Sequence, residues 1–202
     1  MASYAALAVQ TREYLILVMW TGQLAGEALN LAIKHLIKQE RPIESFGNGY
    51  GFPSSHSQYM AYFSTFLMLH LYFRHRFSST GITAFDSLWR GTVYSDTVIL
   101  DRPSPSVRYY LGYHNFHQIF WGLFIGSSLG AFVYSFAQLL PTQYPNSVLG
   151  RLKRWILSNS TSTWVQLRDG WDIWADAGRE SEWLRWRNEW EKKHAVSKVK
   201  TR

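Results

Sequence analysis

The chain has 202 residues, a formal net charge of +7 and no cysteine. This length suits one domain. The lack of cysteine excludes a disulfide framework, a thiolate metal site and a cysteine nucleophile. The mean hydropathy is only −0.19, but the apolar residues are concentrated in a few windows and the C-terminal quarter is polar. The average therefore conceals segments that could enter a membrane.

Three apolar windows are long enough, or nearly long enough, to form a helix that spans a bilayer, which needs roughly 20 residues. They cover about residues 14–37, 57–73 and 118–140. The first contains Gln23, Glu27 and Lys34, so it suits a helix inside a bundle better than one that faces lipid. The third is the most apolar, and its small residues predict close helix packing. These small residues are Gly122, Gly126, Ser127, Ser128 and Gly130.

The windows predict an all-α, polytopic membrane bundle in residues 1–140, followed by a basic tail in residues 141–202. A soluble helical protein with three buried helices is the alternative. The tail contains seven of the ten tryptophans, and residues 151–202 contribute +5 of the formal net charge of +7. No nucleic-acid-binding motif accompanies these basic residues, so we expect no nucleic-acid partner. The sequence indicates no oligomeric state.

A tryptophan face is predicted within the tail. Trp183, Trp186 and Trp190 recur at i, i+3 and i+7, which places them on one side of a helix. A basic helix with such a face is typical of an amphipathic element on a membrane surface. Packing of this helix against its own domain is an equal alternative.

Three short segments carry residue types that bind phosphate. In KHLIKQERP, Lys34 and Arg41 lie at the end of the first apolar helix and just beyond it, where they can reach an anion. In GFPSSHSQ, Ser54 and Ser55 begin the second helix, where free backbone N–H groups and the helix dipole favour phosphate. In VRYYLGYHNFHQ, Arg108 adds a forked donor that matches phosphate oxygens.

Two histidines add the reactive groups. His56 and His114 can supply the nucleophile and the proton donor that phosphoryl transfer requires. On a helix His114 and Gln118 share a face, so Gln118 can accept a hydrogen bond from one ring nitrogen and leave the other free to attack phosphorus. His114 and His117 could suggest a metal pair, but no carboxylate pattern completes it, so we expect no metal.

The three segments together resemble the signature of the type 2 phosphatidic acid phosphatase superfamily. That signature reads Lys, six residues, Arg-Pro; then Pro-Ser-Gly/Ser-His; then Ser-Arg, five residues, His, three residues, Asp. Within the superfamily, YGFPSSHSQ and YYLGYHNFHQ are most similar to the dolichyldiphosphatases, which commonly have Ser and Gln where Ser55 and Gln118 stand. The resemblance covers about residues 10–140.

The resemblance implies hydrolysis of a dolichyl (polyprenyl) diphosphate to the monophosphate, without any cofactor, in support of protein N-glycosylation. His114 would attack the terminal phosphorus and form a phosphohistidine, and His56 would protonate the leaving lipid monophosphate and then activate water. The resemblance also implies a multi-pass protein of the endoplasmic reticulum membrane, with a lumenal active site and a cytosolic tail. The residues that would hold the phosphate are Lys34, Arg41, Ser54, Ser55 and Arg108.

The chain departs from the family pattern in two places. Val107 stands where the family has the Ser that precedes Arg108. The family also has a spanning helix before the third motif, which returns the chain to the side of His56. Residues 81–107 are predicted to be loop-like because they contain several charges and two prolines, and burying one central charge costs about 2.5–3.5 kcal/mol. We therefore expect the bundle to lack one or two of the family's spanning helices.

Three explanations of this second departure stay open. Residues 80–107 could cross the membrane shielded by protein. Residues 91–107 and the short start, MASYAALAVQ, could reflect an incorrect exon boundary in the deduced sequence, which is the explanation that we favour. The chain could also be a catalytically inactive relative. A phosphatase for another lipid phosphate is the remaining alternative for the function.

Overall fold

The computed structural model describes residues 2–39, 50–75, 87, 91–92 and 116–200, with side chains as far as residue 193. These residues are mostly helical, and the single bridge between Glu13 and Arg168 is their only β pairing. The all-α architecture that the sequence predicts is confirmed. The long helices of the bundle are α1, Ala2–Thr11; α2, Tyr14–Ile37; α3, Ser55–Phe73; and α4, Phe116–Tyr134.

The end of α4 and the tail are also helical. Helix α4 continues through a π-helical turn, Ser135–Leu139, and a last turn, Leu140–Gln143. The side chains of Ser147 and Asn159 accept hydrogen bonds from the first turns of the two helices that follow, which explains where these begin. The helices of the tail are α5, Val148–Ser158; α6, Ser160–Trp164; α7, Gly170–Ile173; and α8, Arg179–Lys200.

The three predicted apolar windows correspond to α2, α3 and α4. Helix α2 has the predicted bounds, and α3 and α4 each begin two residues earlier than predicted. Among the described helices, α2 and the segment Phe116–Gln143 are long and apolar enough to cross a membrane. Helix α3 does not meet this criterion, because its apolar residues alternate with hydroxyl, amide and histidine side chains.

The surface of the bundle is apolar and its interior contains polar side chains. Leu24, Phe124 and Phe132 are exposed, whereas Gln23 and Gln138 are buried. A soluble protein would bury these large apolar groups, but in a bilayer they face lipid and the polar side chains face the interior of the bundle. This pattern favours the membrane bundle over the soluble alternative.

One prediction about residues 81–107 is wrong at the positions that the structure describes. Ser87, Gly91 and Thr92 are helical, not loop-like. The charged residues Asp86 and Arg90 adjoin these positions in the sequence and do not prevent the helical state, and the first proline of the segment, Pro103, lies well beyond them. The rest of the segment lies outside the described residues.

Helices α3 and α4 run parallel and in backbone contact. A Cβ added to Gly122 would lie 2.7 Å from the carbonyl oxygen of Ser54, so a side chain at this position would force the helices apart. Because the residue numbers rise together along both helices, α3 and α4 point the same way. The predicted role of these glycines in close packing is confirmed. The contacting pairs are Gly122 with Ser54, Gly126 with Gln58 and Gly130 with Tyr62.

Helix α2 runs antiparallel to this pair. The Tyr62 hydroxyl donates to the carbonyl oxygen of Met19 at 3.1 Å, and the Gln58 side chain donates to the carbonyl oxygen of Gly26 at 2.7 Å. The end of α2 therefore meets the starts of α3 and α4 at one end of the bundle, here called the motif end. The start of α2 meets the other ends of α3 and α4 at the opposite, tail end.

The apolar core fills the half of the bundle nearest the tail. Leu15, Met19, Tyr62, Phe66 and Tyr134 pack there, and the rings of Phe66 and Tyr134 lie edge to face with centroids 5.3 Å apart. Helix α1 adds Tyr4 to this cluster. The motif half is correspondingly richer in polar contacts.

A buried ion pair holds the tail together beneath the bundle. Lys153 of α5 lies 2.5 Å from Asp169, and their side chains are only 6% and 3% exposed. Asp169 immediately precedes α7, and the next residue, Gly170, donates its N–H to the carboxylate of Glu13 at 3.0 Å. The pair thus joins α5 to the segment that contacts the start of α2.

A second ion pair joins the tail to α3. Arg74, at the end of α3, donates to Asp172 at 2.8 Å and to the carbonyl oxygen of Trp171 at 3.3 Å. Burial raises the pKa of Asp172, but the hydrogen bond from Arg74 and the charge of Lys153 outweigh it, so this pKa lies below its ordinary value. The carboxylate form of Asp172 therefore favours the docked tail.

We predict that Gly126→Ala lowers the free energy of unfolding by about 1–3 kcal/mol, because the added methyl overlaps the backbone of α3. The measurement is SDS titration in detergent micelles, followed by circular dichroism. Gly91→Ala is the matched control, because a Cβ at Gly91 meets no atom within 4 Å. Equal effects of the two substitutions would contradict the helix contact.

We predict that Asp169→Ala costs about 3 kcal/mol, because it leaves the buried ammonium of Lys153 without its close partner. Glu189→Ala breaks the exposed pair of Glu189 with Lys192 and should cost less than about 1 kcal/mol. The same titration measures both variants. A loss at Asp169 no larger than that at Glu189 would show that the buried pair does not stabilise the tail.

Candidate functional site

The first turns of α3 and α4 are joined at the motif end. Ser54 is the residue before α3, with an extended backbone and no exposed surface. Its N–H donates to the carbonyl oxygen of Gln118 at 3.2 Å, and its hydroxyl accepts from Ser57 at 3.1 Å. Since the glycine contacts hold the helices in this register, the second predicted motif lies directly beside Gln118 of the third.

Lys34 reaches the start of α3 from α2. Its ammonium donates to the hydroxyl of Ser55 at 2.5 Å, and this hydroxyl donates to the side-chain oxygen of Asn30 at 2.8 Å. The first amides of a helix have no acceptor within the helix and form its positive end. A fixed cation therefore lies at the helix terminus where the sequence predicted phosphate to bind.

Two buried amides extend this chain of hydrogen bonds into the bundle. Asn30 donates to Gln58 at 2.7 Å, and Gln58 donates to the carbonyl oxygen of Gly26 at 2.7 Å. Asn30 is 1% exposed and Gln58 4% exposed. Buried polar groups cost free energy unless they are paired, and a fully paired network fixes its members in place. The network thus sets the position of Ser55 and, through it, of Lys34.

Asn30 and Gln58 were not among the residues predicted for the site. Their spacing gives a signal: Asn30 lies one helical turn before Lys34, and Gln58 lies three residues after Ser55. On a helix such residues share a face. A polar residue one helical turn from a predicted phosphate ligand, towards the middle of the helix, could therefore have been recognised as a hydrogen-bond partner that positions the ligand.

His56 lies in the first turn of α3 and is partly exposed at the motif end. His117, in the first turn of α4, has a different environment. Its ring stacks on that of Phe52 with centroids 5.7 Å apart, and its Nε2 accepts a hydrogen bond from Trp121 at 2.9 Å. Within the described residues, no three His, Asp or Glu side chains form a cluster that could hold a metal ion.

The structure places five of the eight predicted site residues at the motif end. The other three, Arg41, Arg108 and His114, lie outside the described residues, and so does Val107. The predicted contact between Gln118 and His114 therefore stays a prediction. The five described residues are Lys34, Ser54, Ser55, His56 and Gln118.

One predicted obstacle to a common site is absent. The sequence suggested that the chain does not return to the side of His56 before the third motif. Helix α4 nevertheless begins at the same end as α3, because the glycine register makes them parallel. His114 precedes the first residue of α4, Phe116, by two positions. The path of the chain between residues 75 and 116 lies outside the described residues, apart from Ser87 and residues 91–92.

Comparison with known proteins assigns the family. The PAP2 superfamily profile matches residues 14–141, which is more than half of the chain. The chain belongs to the PAP2 superfamily. The match includes every residue of the candidate site and ends within α4, before the tail helices. No solved structure matches the chain significantly.

Several curated relatives are similar to this chain. Dolichyldiphosphatase 1 of Rhinolophus ferrumequinum is 29% identical over 164 residues, covering 79% of this chain and 68% of the relative. Dolichyldiphosphatase of Saccharomyces cerevisiae is 32% identical over 140 residues, covering 65% and 55%. A Neurospora crassa relative is 48% identical over 75 residues, covering 36% and 27%. The chain thus spans between about a quarter and two thirds of these relatives' lengths.

We predict that Asn30→Ala lowers the free energy of unfolding by about 1–3 kcal/mol, because it leaves the buried oxygen of Gln58 without its donor. Asn188→Ala, on the exposed surface of α8, is the matched control and should change little. Chemical denaturation in micelles measures both. An unchanged midpoint for Asn30→Ala would show that the buried amides do not support the site.

Proposed function

We propose that the motif end hydrolyses dolichyl diphosphate, a polyprenyl diphosphate, to dolichyl monophosphate and phosphate. The observation that carries this proposal is the ammonium of Lys34 held against Ser55 at the positive end of α3. Membership of the PAP2 superfamily and the names of the relatives support it. The apolar surface of the helices suits a substrate that remains in the bilayer.

The phosphate group binds at the start of α3. Lys34 and the first amides of α3 supply positive charge and hydrogen-bond donors, and Arg41 and Arg108 complete the cradle. The hydroxyl of Ser55, whose own proton goes to Asn30, holds Lys34 beside the phosphate. Such donors stabilise charge on a phosphoryl group during transfer, and they act best where they are fixed in advance. The hydrogen bonds from Lys34 through Ser55 to Asn30 supply this fixation.

The reaction proceeds in two steps on histidine. A ring nitrogen of His114 attacks the terminal phosphorus, and the bond from this phosphorus to the bridging oxygen breaks. His56 gives its proton to the leaving lipid monophosphate. His56 then takes a proton from water, the resulting hydroxide attacks phosphorus, and the phosphorus–nitrogen bond breaks to release phosphate. Gln118 orients the ring of His114. No metal or other cofactor takes part.

Chain connectivity supports the pairing of the two histidines. His56 lies in the first turn of α3, and α4 begins at the same end of the bundle. Two residues span at most about 7 Å, so His114 lies within that reach of the start of α4. The connectivity of the chain therefore permits both histidines to act on one substrate at the motif end.

The charge distribution supports an orientation in the membrane. Arg74 follows α3 at the tail end, Arg76 comes two positions later in the sequence, and residues 151–202 carry a formal net charge of +5. Basic residues near spanning helices stay preferentially on the cytosolic side. The tail is therefore cytosolic and the motif end lumenal, in the membrane of the endoplasmic reticulum. There the reaction recycles the lipid carrier for protein N-glycosylation.

The test is phosphate release from dolichyl diphosphate by the purified full chain in micelles. His56→Ala should lower kcat by about 10²–10⁴-fold, because the leaving group loses its proton donor. His114→Ala should abolish turnover. The matched control is His35→Ala, since His35 lies at the same end but is exposed and, among the described residues, forms a hydrogen bond with the carbonyl oxygen of Leu31 within its own helix at 2.8 Å.

Equal rates in wild type, His56→Ala and His114→Ala would refute the proposal. Phosphate release from phosphatidate but not from dolichyl diphosphate would show that the substrate is another lipid phosphate, hydrolysed by the same chemistry. No release from either lipid by a folded wild-type chain would identify an inactive relative.

A further inference from the structure

Helix α8 presents an apolar face that is largely exposed. Every side chain from Arg179 to Lys193 is exposed. Trp183, Trp186 and Trp190 lie on one side of the helix and are 54%, 55% and 39% exposed. The alternative that this helix packs against its own domain is not supported by the described residues. Large aromatic groups that share an exposed face mark an interaction surface.

The position of α8 indicates what covers this face. The guanidinium of Arg179, the first residue of α8, lies 5.9 Å from the ring centroid of Trp171. The Trp171 ring in turn packs edge to face on His70, with centroids 4.7 Å apart, near the end of α3. Helix α8 therefore starts at the tail end of the bundle, where α2 and the segment Phe116–Gln143 would leave a bilayer. A membrane surface at this end would be the nearest partner for its exposed face.

The charges beside the tryptophans match the headgroups of anionic phospholipids. Arg187 lies 5.1 Å from the centroid of the Trp190 ring and forms an exposed ion pair with Glu191 at 2.7 Å. An exposed pair of this kind contributes little free energy, so Arg187 can exchange it for a headgroup phosphate. At 100° per residue, Arg187 and Lys193 flank the tryptophan face on its two sides. Cations placed beside a buried apolar face can extend towards headgroup phosphates. The formal charge of +5 in residues 151–202 has the sign that anionic lipids attract.

Helix α5 carries a second exposed stripe at the same end. Val148, Leu152 and Trp155 follow one another at i, i+4 and i+7 and are all exposed. The opposite side of α5 holds Lys153, which the buried pair with Asp169 anchors beneath the bundle. This anchoring keeps the apolar stripe turned away from the protein. Two separate tail helices thus present tryptophan to the surroundings.

We propose that α8 lies on the bilayer surface at the tail end, with its tryptophan face among anionic phospholipid headgroups and α5 contacting the same surface. The tail is then a second membrane-binding element, separate from the spanning helices. It selects for negatively charged lipid in the leaflet opposite the motif end. This interaction is independent of the reaction proposed for the motif end.

The absence of native cysteine allows a direct test on the full chain. Single cysteines replace Trp186 or Trp190 on the proposed buried face, and Ser181 or Asn188 on the opposite face. Each is labelled with a nitroxide in nanodiscs of phosphatidylcholine and phosphatidylserine. Collisions with oxygen, which concentrates in lipid, and with a water-soluble nickel complex then report the depth of each label. Circular dichroism checks that each labelled chain keeps its helix content.

We expect labels at 186 and 190 to be more accessible to oxygen than to nickel, and labels at 181 and 188 to show the reverse. In nanodiscs of phosphatidylcholine alone, the labels at 186 and 190 should become more accessible to nickel, because the anionic lipid that holds the helix is missing. Nickel accessibility at all four positions would overturn the proposal, because the helix would lie in water. Protection of all four from both reagents would also overturn it, because protein rather than lipid would cover the helix. An unchanged depth without phosphatidylserine would overturn the preference for anionic lipid.

Discussion

The backbones of α3 and α4 touch because three residues of α4 have no side chain. Gly122, Gly126 and Gly130 let the two helices approach in one register, and a Cβ at Gly130 would lie 2.8 Å from a carbonyl oxygen of α3. That register makes the helices parallel and places the N–H of Ser54 on the carbonyl oxygen of Gln118. The candidate site depends on this contact, since without it the second and third motifs would have no fixed relation.

The two ends of the bundle use polar groups differently. At the motif end, Asn30 and Gln58 pair with each other and thereby hold Ser55 and Lys34 where an anion can bind. At the tail end, Lys153 and its carboxylate partner neutralise each other, so this buried pair leaves no net charge for a ligand. A buried pair of this kind costs free energy to desolvate and is most useful for fixing a unique arrangement. The first network therefore positions a site, and the second positions the tail.

Local features of this fold could be predicted from the sequence, but pairings between distant segments could not. The bounds of α2 and the packing role of the glycines in α4 follow from apolar runs and small residues, which are local patterns. The pairing of Asn30 with Gln58, like that of Arg74 with Asp172, depends on the register of separate helices, which periodicity does not specify. The start of α4 at the motif end escaped prediction for the same reason. The helical state of Ser87 was missed because the charges and distant prolines of its segment were given too much weight. The catalytic roles of His56 and His114 stay predictions.

Trapping of the covalent intermediate tests the proposed chemistry most directly. The purified chain would react briefly with dolichyl diphosphate labelled in its terminal phosphate, be quenched in alkali, and be mapped by peptide mass spectrometry. Phosphate on a histidine nitrogen survives alkali and is lost in acid, whereas phosphate esters of serine behave in the opposite way. We expect acid-labile label on the peptide that contains His114. Phosphate release without any acid-labile label, or label confined to Ser54 or Ser55, would contradict nucleophilic attack by histidine at the motif end.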